Sequence, residues 1–406
     1  MMNNKIAFLH PDLGIGGAER AIVDAAMALK LNGFKVTMIT NHHDASHCFD
    51  ETKNGDLNVV VVGQFLPRSI FGRLCAFFAY LRLIFAALYI ILFNFNDFDL
   101  IYIDQISAPI PLLKIFGFKV LFYAHFPDML LSKRNGIFKQ IYRIPIDFIE
   151  KISLSFADII LYNSEFTANV YREHFAFTRL SDPLIVYPVP NIDNLRSSSA
   201  SLPPIIEERM ENDFILFLSI NRYEHKKNIE LGLLAFAKLR KEFHQSDKHD
   251  KLIFVHFGGY DDLVTENRKV FRNLNQLIID LEIDNCAFLL KSCANDVKVN
   301  FLKRASALLY TPSNEHFGIV PVEAMYLKCP VIAVNSGGPR ETVVDGLTGF
   351  LCESDPDAFS ESMKRLIVDE NLRRELGEAG HQRACEEFSF KAFQKKLSNI
   401  VSELIQ

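Results

Sequence analysis

The chain has 406 residues, 49% of them hydrophobic and 23% charged, with 44 basic and 49 acidic side chains and a net charge of −5. At roughly 150 residues per domain this predicts two or three domains with a sizeable core, and it excludes a disordered chain. The acidic balance argues against a nucleic-acid partner. Thirty-six Phe, no Trp and a mean hydropathy of +0.10 predict a soluble body with some affinity for membranes.

The first half alternates short apolar runs with helical stretches. The runs are IAFL (6–9), VTMIT (36–40), VVVV (59–62), LIYID (100–104), VLFYAH (120–125), DIILYN (158–163) and LIVYP (184–188). Helices are predicted near 18–31 and 137–154. β-Branched runs separated by helices predict a parallel sheet covered on both faces. Leu74 to Phe95 carries one charge, Arg82, and is long enough to cross a bilayer. It reads as a buried helix flanking the sheet, an interfacial helix with Arg82 among headgroups, or a span. Leu131 to Lys151 sets Lys133, Arg134, Lys139, Arg143 and Lys151 among Phe138, Ile141, Tyr142, Ile144 and Phe148. Such a basic amphipathic stretch suits a lipid surface, an acceptor diphosphate, or an ordinary solvent face.

A Pro-, Ser- and Asn-rich stretch then predicts a linker at 191–212, between a first domain over 1–190 and a second over 213–388. The second half repeats the alternation with FILFLSI (214–220), a helix near 229–243, LIFVHFGG (252–259), AFLLK (287–291), ALLYTP (307–312), VIAVN (331–335) and GFLC (349–352). Residues 389–406 read as a last helix returning towards the first domain. The expected fold class is α/β, with two doubly wound Rossmann-like domains facing a central cleft, where the carboxyl ends of the strands bind ligands. Seven scattered cysteines without a Cys-x-x-Cys fit a reducing compartment better than a disulfide framework or a zinc site.

Three motifs follow predicted strands. Gly14-Ile15-Gly16-Gly17-Ala18-Glu19-Arg20 resembles a dinucleotide fingerprint, but Glu19 replaces its third glycine, which disfavours a nicotinamide site. Asn221-Arg222-Tyr223-Glu224-His225-Lys226-Lys227-Asn228 sets cations at a strand end, where they can hold a diphosphate. Ser313 to Glu323 places Glu315 and Glu323 eight positions apart. In a continuous helix that is about 12 Å, beyond the roughly 5–9.5 Å of a hydrolytic carboxylate pair. The turn at His316–Gly318 can instead offer amides to a phosphate, and Glu323 can accept hydrogen bonds from a ribose. The spacings Asp97/Asp99 and Asp355/Asp357 read as loop or capping acids.

Together, Gly-Gly-Ala-Glu-Arg near the start, Asn-Arg-Tyr with Lys-Lys-Asn, and Glu-x7-Glu resemble the retaining GT-B glycosyltransferases of family 4 over essentially the whole chain. The runs HPDLGIGGAER, HFPDMLLSKR, SINRYEHKKN, YTPSNEHFGIVPVEAMY and PVIAVNSGGP are similar to the eukaryotic mannosyltransferases of dolichol-linked oligosaccharide assembly. The resemblance implies GDP-mannose as donor and a dolichol-diphosphate-linked oligosaccharide as acceptor, at the cytosolic face of the endoplasmic reticulum membrane. It brings in the membrane surface, and other mannosyltransferases of the pathway, as partners. It implies no required cofactor and no metal ligands. Arg222 and Lys227 would grip the donor phosphates, with Asn228 where the wider family has glycine. Glu315 would contact the mannosyl ring. His316, Phe317, Gly318 and Ile319 would line the sugar diphosphate, and Glu323 would hold the ribose. Gly16 and Gly17 would approach the donor phosphate or the acceptor. His125 matches a first-domain histidine that enters the cleft, and Asp128 would touch acceptor sugar. Lys133, Arg134 and Arg82 complete the acceptor or membrane set. A family 4 transferase with another donor and lipid, and a non-catalytic membrane scaffold, are the alternatives.

Overall fold

The computed structural model describes residues 4–94, 97–132, 136–175, 182–190, 201–208 and 214–406. The chain divides into two compact units, Met1–Val189 with Phe390–Gln406, and Pro190–Ser389. The 191–212 linker falls largely outside the described residues, as do Lys133 and Arg134.

Unit 1 is built on β1 (Lys5–His10), β2 (Lys35–Thr40), β3 (Asn58–Val61), β4 (Leu100–Asp104), β5 (Val120–Ala124), β6 (Ile159–Tyr162) and β7 (Leu184–Ile185). They form one parallel sheet in the order β3-β2-β1-β4-β5-β6-β7. β4 and β5 are buried at every residue, as two-sided cover requires. Helix α1 (Gly17–Leu31) follows β1, and α2 (Cys75–Phe93) precedes β4.

Helix α2 is long and apolar enough to cross a membrane, with a mean hydropathy of 2.2. Its inner face nevertheless belongs to the unit 1 core. Leu83, Ala86, Ala87 and Ile90 are fully buried with Leu9, Ile101 and Ile103. Burying a side chain of Leu size contributes about 1.5–3 kcal/mol. The expectation of Arg82 among headgroups is corrected. Its guanidinium turns inward, and Nη2 donates to the Asn41 carbonyl at 2.7 Å. Asn41 in turn donates through Nδ2 to the carbonyls of Arg82 and Val62, both at 2.9 Å. A cation on an otherwise apolar helix is thus held by the backbone carbonyl of Asn41. The outer face of α2 still exposes Phe77, Leu88, Leu92 and Phe93.

Helix α3 (Ile137–Leu154) is amphipathic in the unexpected sense. It buries Arg143, Asp147, Glu150 and Ser153, and exposes Phe138, Ile141, Ile144 and Phe148. Arg143 is therefore no part of a basic outer face. Its guanidinium bonds Asp128 at 2.8 Å and Asp147 at 2.7 Å.

Unit 2 uses β8 (Ile215–Ile220), β9 (Leu252–Gly258), β10 (Ala287–Lys291), β11 (Ala307–Tyr310), β12 (Val331–Val334) and β13 (Gly349–Cys352). The parallel order is β10-β9-β8-β11-β12-β13. In both sheets the order reverses beside the first strand, which opens a crevice at the carboxyl ends of β1 and β4, and of β8 and β11. Helices α4 (Ile229–Glu242) and α5 (Ile319–Tyr326) follow the two motifs of this unit, and α6 (Pro356–Val368) packs against α4. Asp355 caps α6, accepting from the amides of Asp357 and Ala358. The last helix, α7 (Phe390–Ile405), packs on α1 of unit 1 and buries Phe393, Leu397 and Val401 there.

Asn41 offers a test of this packing. Asn41→Ala leaves two buried carbonyls without their donor and should destabilise unit 1 by about 1–3 kcal/mol. A lowered denaturation midpoint with unit 2 unaffected is the expected result. An unchanged midpoint would show that α2 is not held through this residue.

Candidate active site

The candidate site of unit 2 is a cavity of about 280 Å³ at the carboxyl edge of its sheet. Asn221, Arg222, Lys227, Tyr310, Glu315 and Gly318 are on its wall, with Ile319 and Val320 of α5. Arg222 follows β8 directly. The approach of Gly258 and Gly259 at the end of β9 makes room for it, because a Cβ on Gly258 would lie 2.0 Å from the Asn221 carbonyl oxygen. Most of the Arg222 side chain is exposed, and Nη1 lies 2.9 Å from Glu224 Oε1.

Lys227 ends a single 3-10 turn, His225–Lys227, and is buried. Its carbonyl accepts from Thr311 Oγ1 at 2.8 Å, which ties the loop to the strand end of β11. Asn228 takes the left-handed conformation with φ of 46°. Glycine enters that region without penalty, and asparagine is among the few other residues that do so readily. Asn228 can therefore keep the loop geometry that glycine provides in the wider family.

Glu315 lies in the loop before α5, so the two glutamates do not share one helix. Its Oε2 accepts from Lys227 Nζ. Burial alone would raise the Glu315 carboxyl, but the adjacent Lys227 ammonium outweighs it and holds the group below its ordinary value. Glu315 is thus a carboxylate at neutral pH. Burial, then Glu315, pushes the Tyr310 hydroxyl well above its ordinary range.

The floor of the loop is glycine-dependent. Gly338 donates its N–H to the Glu315 carbonyl at 2.7 Å, and a Cβ there would lie 2.3 Å from the Phe317 carbonyl oxygen. Gly337 has φ of +65°, and a Cβ there would lie 2.5 Å from the Glu315 carbonyl oxygen. Gly318 caps α5 at φ of 86°, which brings the first turn of the helix to the cavity. The Phe317 side chain turns into the core against Phe388, and neither it nor His316 is on the cavity wall.

Glu323 is buried within α5. Lys298 donates to its Oε1 at 2.7 Å, while Oε2 is buried with no hydrogen-bond partner. Asn221 Nδ2 is likewise a buried donor with no partner. Sequence reasoning missed Lys298, which stands 25 residues before Glu323, and did not single out Asn221 or Tyr310.

The remaining candidates belong to unit 1. A Cβ on Gly16 would lie 2.2 Å from Glu19 Oε2, so this glycine makes room for the Glu19 carboxylate, while Gly17 is open. His125 follows β5, and its Nε2 lies 2.9 Å from Asp104 Oδ2. Asp128 opens a short turn, paired with Arg143 and with its amide donating to Glu150 at 2.8 Å.

Two doubly wound sheets, with a cation, a carboxylate and a helix amino terminus converging at the edge of the second, define a GT-B glycosyltransferase. The family model for Glycosyltransferase Family 4 matches residues 15–188, and that for Glycosyl transferases group 1 matches 205–383. Among solved structures, sucrose-phosphate synthase from Thermosynechococcus elongatus aligns with a TM-score of 0.75 at 19% identity, covering 99% of both chains. Anabaena HepE, in complex with UDP and glucose, aligns at 0.70 and 18% identity, covering 99% of this chain and 100% of its own. The mouse alpha-1,3/1,6-mannosyltransferase ALG2 is 44% identical over 98% of this chain and 96% of its own. The chain belongs to the ALG2 family of alpha-1,3/1,6-mannosyltransferases, and is a glycosyltransferase.

Gly338→Ala should displace the 315–317 loop while leaving the sheet intact. A shift of about 1 Å at reacting groups can cost about 10²-fold, so a loss of that order in kcat/KM is expected with little change in melting temperature. Full activity in this variant would remove the loop from the site.

Proposed function

We propose that the chain transfers mannose, with retention, from GDP-mannose to Man1GlcNAc2-diphosphodolichol, adding the α-1,3 and the α-1,6 mannose at the cytosolic face of the endoplasmic reticulum membrane. The observation that carries this reading is the Lys227–Glu315 pair on the wall of a cavity closed by the amino terminus of α5, in a chain of the ALG2 family.

The donor diphosphate would take Lys227 and Arg222 as counter-charges, with the first amides of α5 adding the positive end of the helix dipole. Glu315, released in part from Lys227, would accept from hydroxyls of the mannosyl ring. The unpartnered Oε2 of Glu323 suits a ribose hydroxyl, since a buried carboxylate oxygen without a donor is costly. As the glycosidic bond to phosphate breaks, an oxocarbenium-like centre forms and negative charge grows on the leaving GDP. The acceptor hydroxyl attacks the same face, and the departing phosphate oxygen takes its proton. No enzyme carboxylate forms a covalent adduct. Catalysis is orientation plus stabilisation of the leaving charge by fixed cations and dipoles, and the scheme uses no resident metal or cofactor.

The lipid part of the acceptor fits unit 1. Helix α3 presents Phe138, Ile141, Ile144 and Phe148 outward, with Lys139 and Lys151 also exposed. An apolar face with flanking cations favours insertion into the headgroup region of a bilayer.

Purified protein offered a lipid-diphosphate-linked Man1GlcNAc2 should add two hexoses from GDP-mannose and none from UDP-glucose, as read by mass spectrometry. Transfer from UDP-glucose would sink the donor assignment. Lys227→Ala should lower kcat by about 10²–10³, and unchanged turnover would refute its role. Ile144→Asp with Phe148→Asp should reduce vesicle binding and transfer to the long-chain acceptor, while sparing a short-chain soluble one. Equal loss on both acceptors would reject the membrane role of α3.

A further inference from the structure

A second charged cluster lies in unit 1, at the carboxyl ends of β1, β4 and β5. Asp104, the last residue of β4, is fully buried. Its Oδ1 lies 2.6 Å from Nδ1 of His10, the last residue of β1, which is also fully buried. Its Oδ2 lies 2.9 Å from Nε2 of His125. His10 Nε2 is 4.0 Å from Glu19 Oε1 at the start of α1. The four residues form a chain whose ends, Glu19 and His125, are each a little over one-fifth exposed, while its two middle members are sealed.

A carboxylate without a proton can only accept hydrogen bonds. Burial opposes ionisation of Asp104, but His10 and then His125 outweigh it and hold the carboxyl below its ordinary value. Both nitrogens facing it must then be N–H donors. Burial likewise lowers His10, but Asp104 and then Glu19 overcome it and raise the ring to about 9. An imidazolium at His10 donates from Nδ1 to Asp104 and directs its Nε2 proton towards Glu19. The second oxygen of Asp104 is left for His125. The Tyr123 and His125 rings pack in a T-shaped contact with centroids 5.0 Å apart, which limits rotation of the imidazole. A single ring proton held on Nε2 would leave the lone pair of His125 on Nδ1.

We propose that Asp104 is a positioning residue that fixes the His125 ring with its proton on Nε2 and its Nδ1 lone pair presented to a sugar hydroxyl. His10 is the internal counter-ion that keeps Asp104 from turning to any other donor. The inference rests on the proposed transfer and on the family resemblance by which His125 and Asp128 of unit 1 would meet sugar, and it gives the HPD and HFPD runs one shared purpose. The carboxyl edge of a doubly wound sheet is where such a ligand is held. Neither Asp104 nor His10 touches the sugar, so each acts through His125.

Two measurements on the full chain test this. The first is the nitrogen-15 spectrum of the histidine side chains at neutral pH, with the His125 signals assigned by their loss in His125→Gln. The expected result is a protonated Nε2 and a bare Nδ1. A proton on Nδ1, alone or with one on Nε2, overturns the proposal, and this arm needs no turnover. The second is a double-mutant cycle on mannosyl transfer. Asp104→Asn should lower kcat by about 10² with little change in KM for the nucleotide sugar, and should have no further effect in a His125→Ala background. Equal losses in both backgrounds would make Asp104 a structural residue only. If the wild-type protein transfers no mannose from GDP-mannose, the functional reading fails, and the spectrum still decides the positioning role.

Discussion

A parallel strand covered on both faces takes a polar side chain within its length only where a hydrogen bond satisfies it, as between His256 and Ser219, so charge is driven to its ends. Both sheets of this chain are built under that constraint, and their chemistry is concentrated accordingly. His10, Asp104 and His125 sit at or just past the ends of β1, β4 and β5. Arg222 and Lys227 follow β8, and Glu315 follows β11. The order reversal beside β1 and β8 leaves these ends uncovered by a crossover helix. The fold therefore collects charge along one edge of each sheet before any ligand is considered.

Charge brought to a half-buried edge must be paired, and the two units solve this differently. In unit 2 the pairs are short and open on one side. Lys227 is held by Glu315, while Lys298 satisfies one oxygen of Glu323 and leaves the other without a donor. The Lys227–Glu315 pair lies on the cavity wall and can exchange partners with an anionic ligand, while Glu323, paired with Lys298, is buried behind it. In unit 1 the cluster closes on itself, with Asp104 shared between two imidazoles. It can hold a ring in one orientation, but its buried centre cannot reach a ligand. The open pairs suit binding and leaving-group stabilisation, and the closed cluster suits positioning.

The alternation of β-branched runs and helices made the two sheets legible, since two-sided burial leaves a strong local pattern. The cationic motif after β8 and the Glu315–Glu323 segment were legible because they directly follow strands. Lys298 was not, because its pairing with Glu323 depends on a tertiary contact and no local pattern marks it. His10 precedes Pro11 and reads as the start of a loop, so its burial against Asp104, 94 residues away, left no local trace. Arg82 and Arg143 were misplaced for a common reason. A cation in an apolar helix reads as surface-seeking, yet a backbone carbonyl holds the first and two carboxylates the second.

Helix α3 joins two parts of the proposed acceptor site. Its inner face carries Glu150, which accepts from the amides of Asp128 and Met129 at 2.8 and 2.9 Å, and Arg143, which holds the Asp128 carboxylate. Burial pushes Glu150 up to about 7, with Asp128 adding to the effect, and these two amides oppose it. Its outer face carries Phe138, Ile144 and Phe148. A helix that keeps its polar residues inside and its apolar residues outside gains little from water on that outer face. In the proposed reading it gains from a bilayer, and lipid contact would then be transmitted through one rigid element to the Asp128 loop. A lipid-linked sugar has its anchor in the membrane and its reacting hydroxyl a fixed distance away. In the proposed reading, mounting the Asp128 loop on α3 through Glu150 and Arg143 would set that distance by fixed hydrogen bonds and an ion pair instead of leaving it to diffusion.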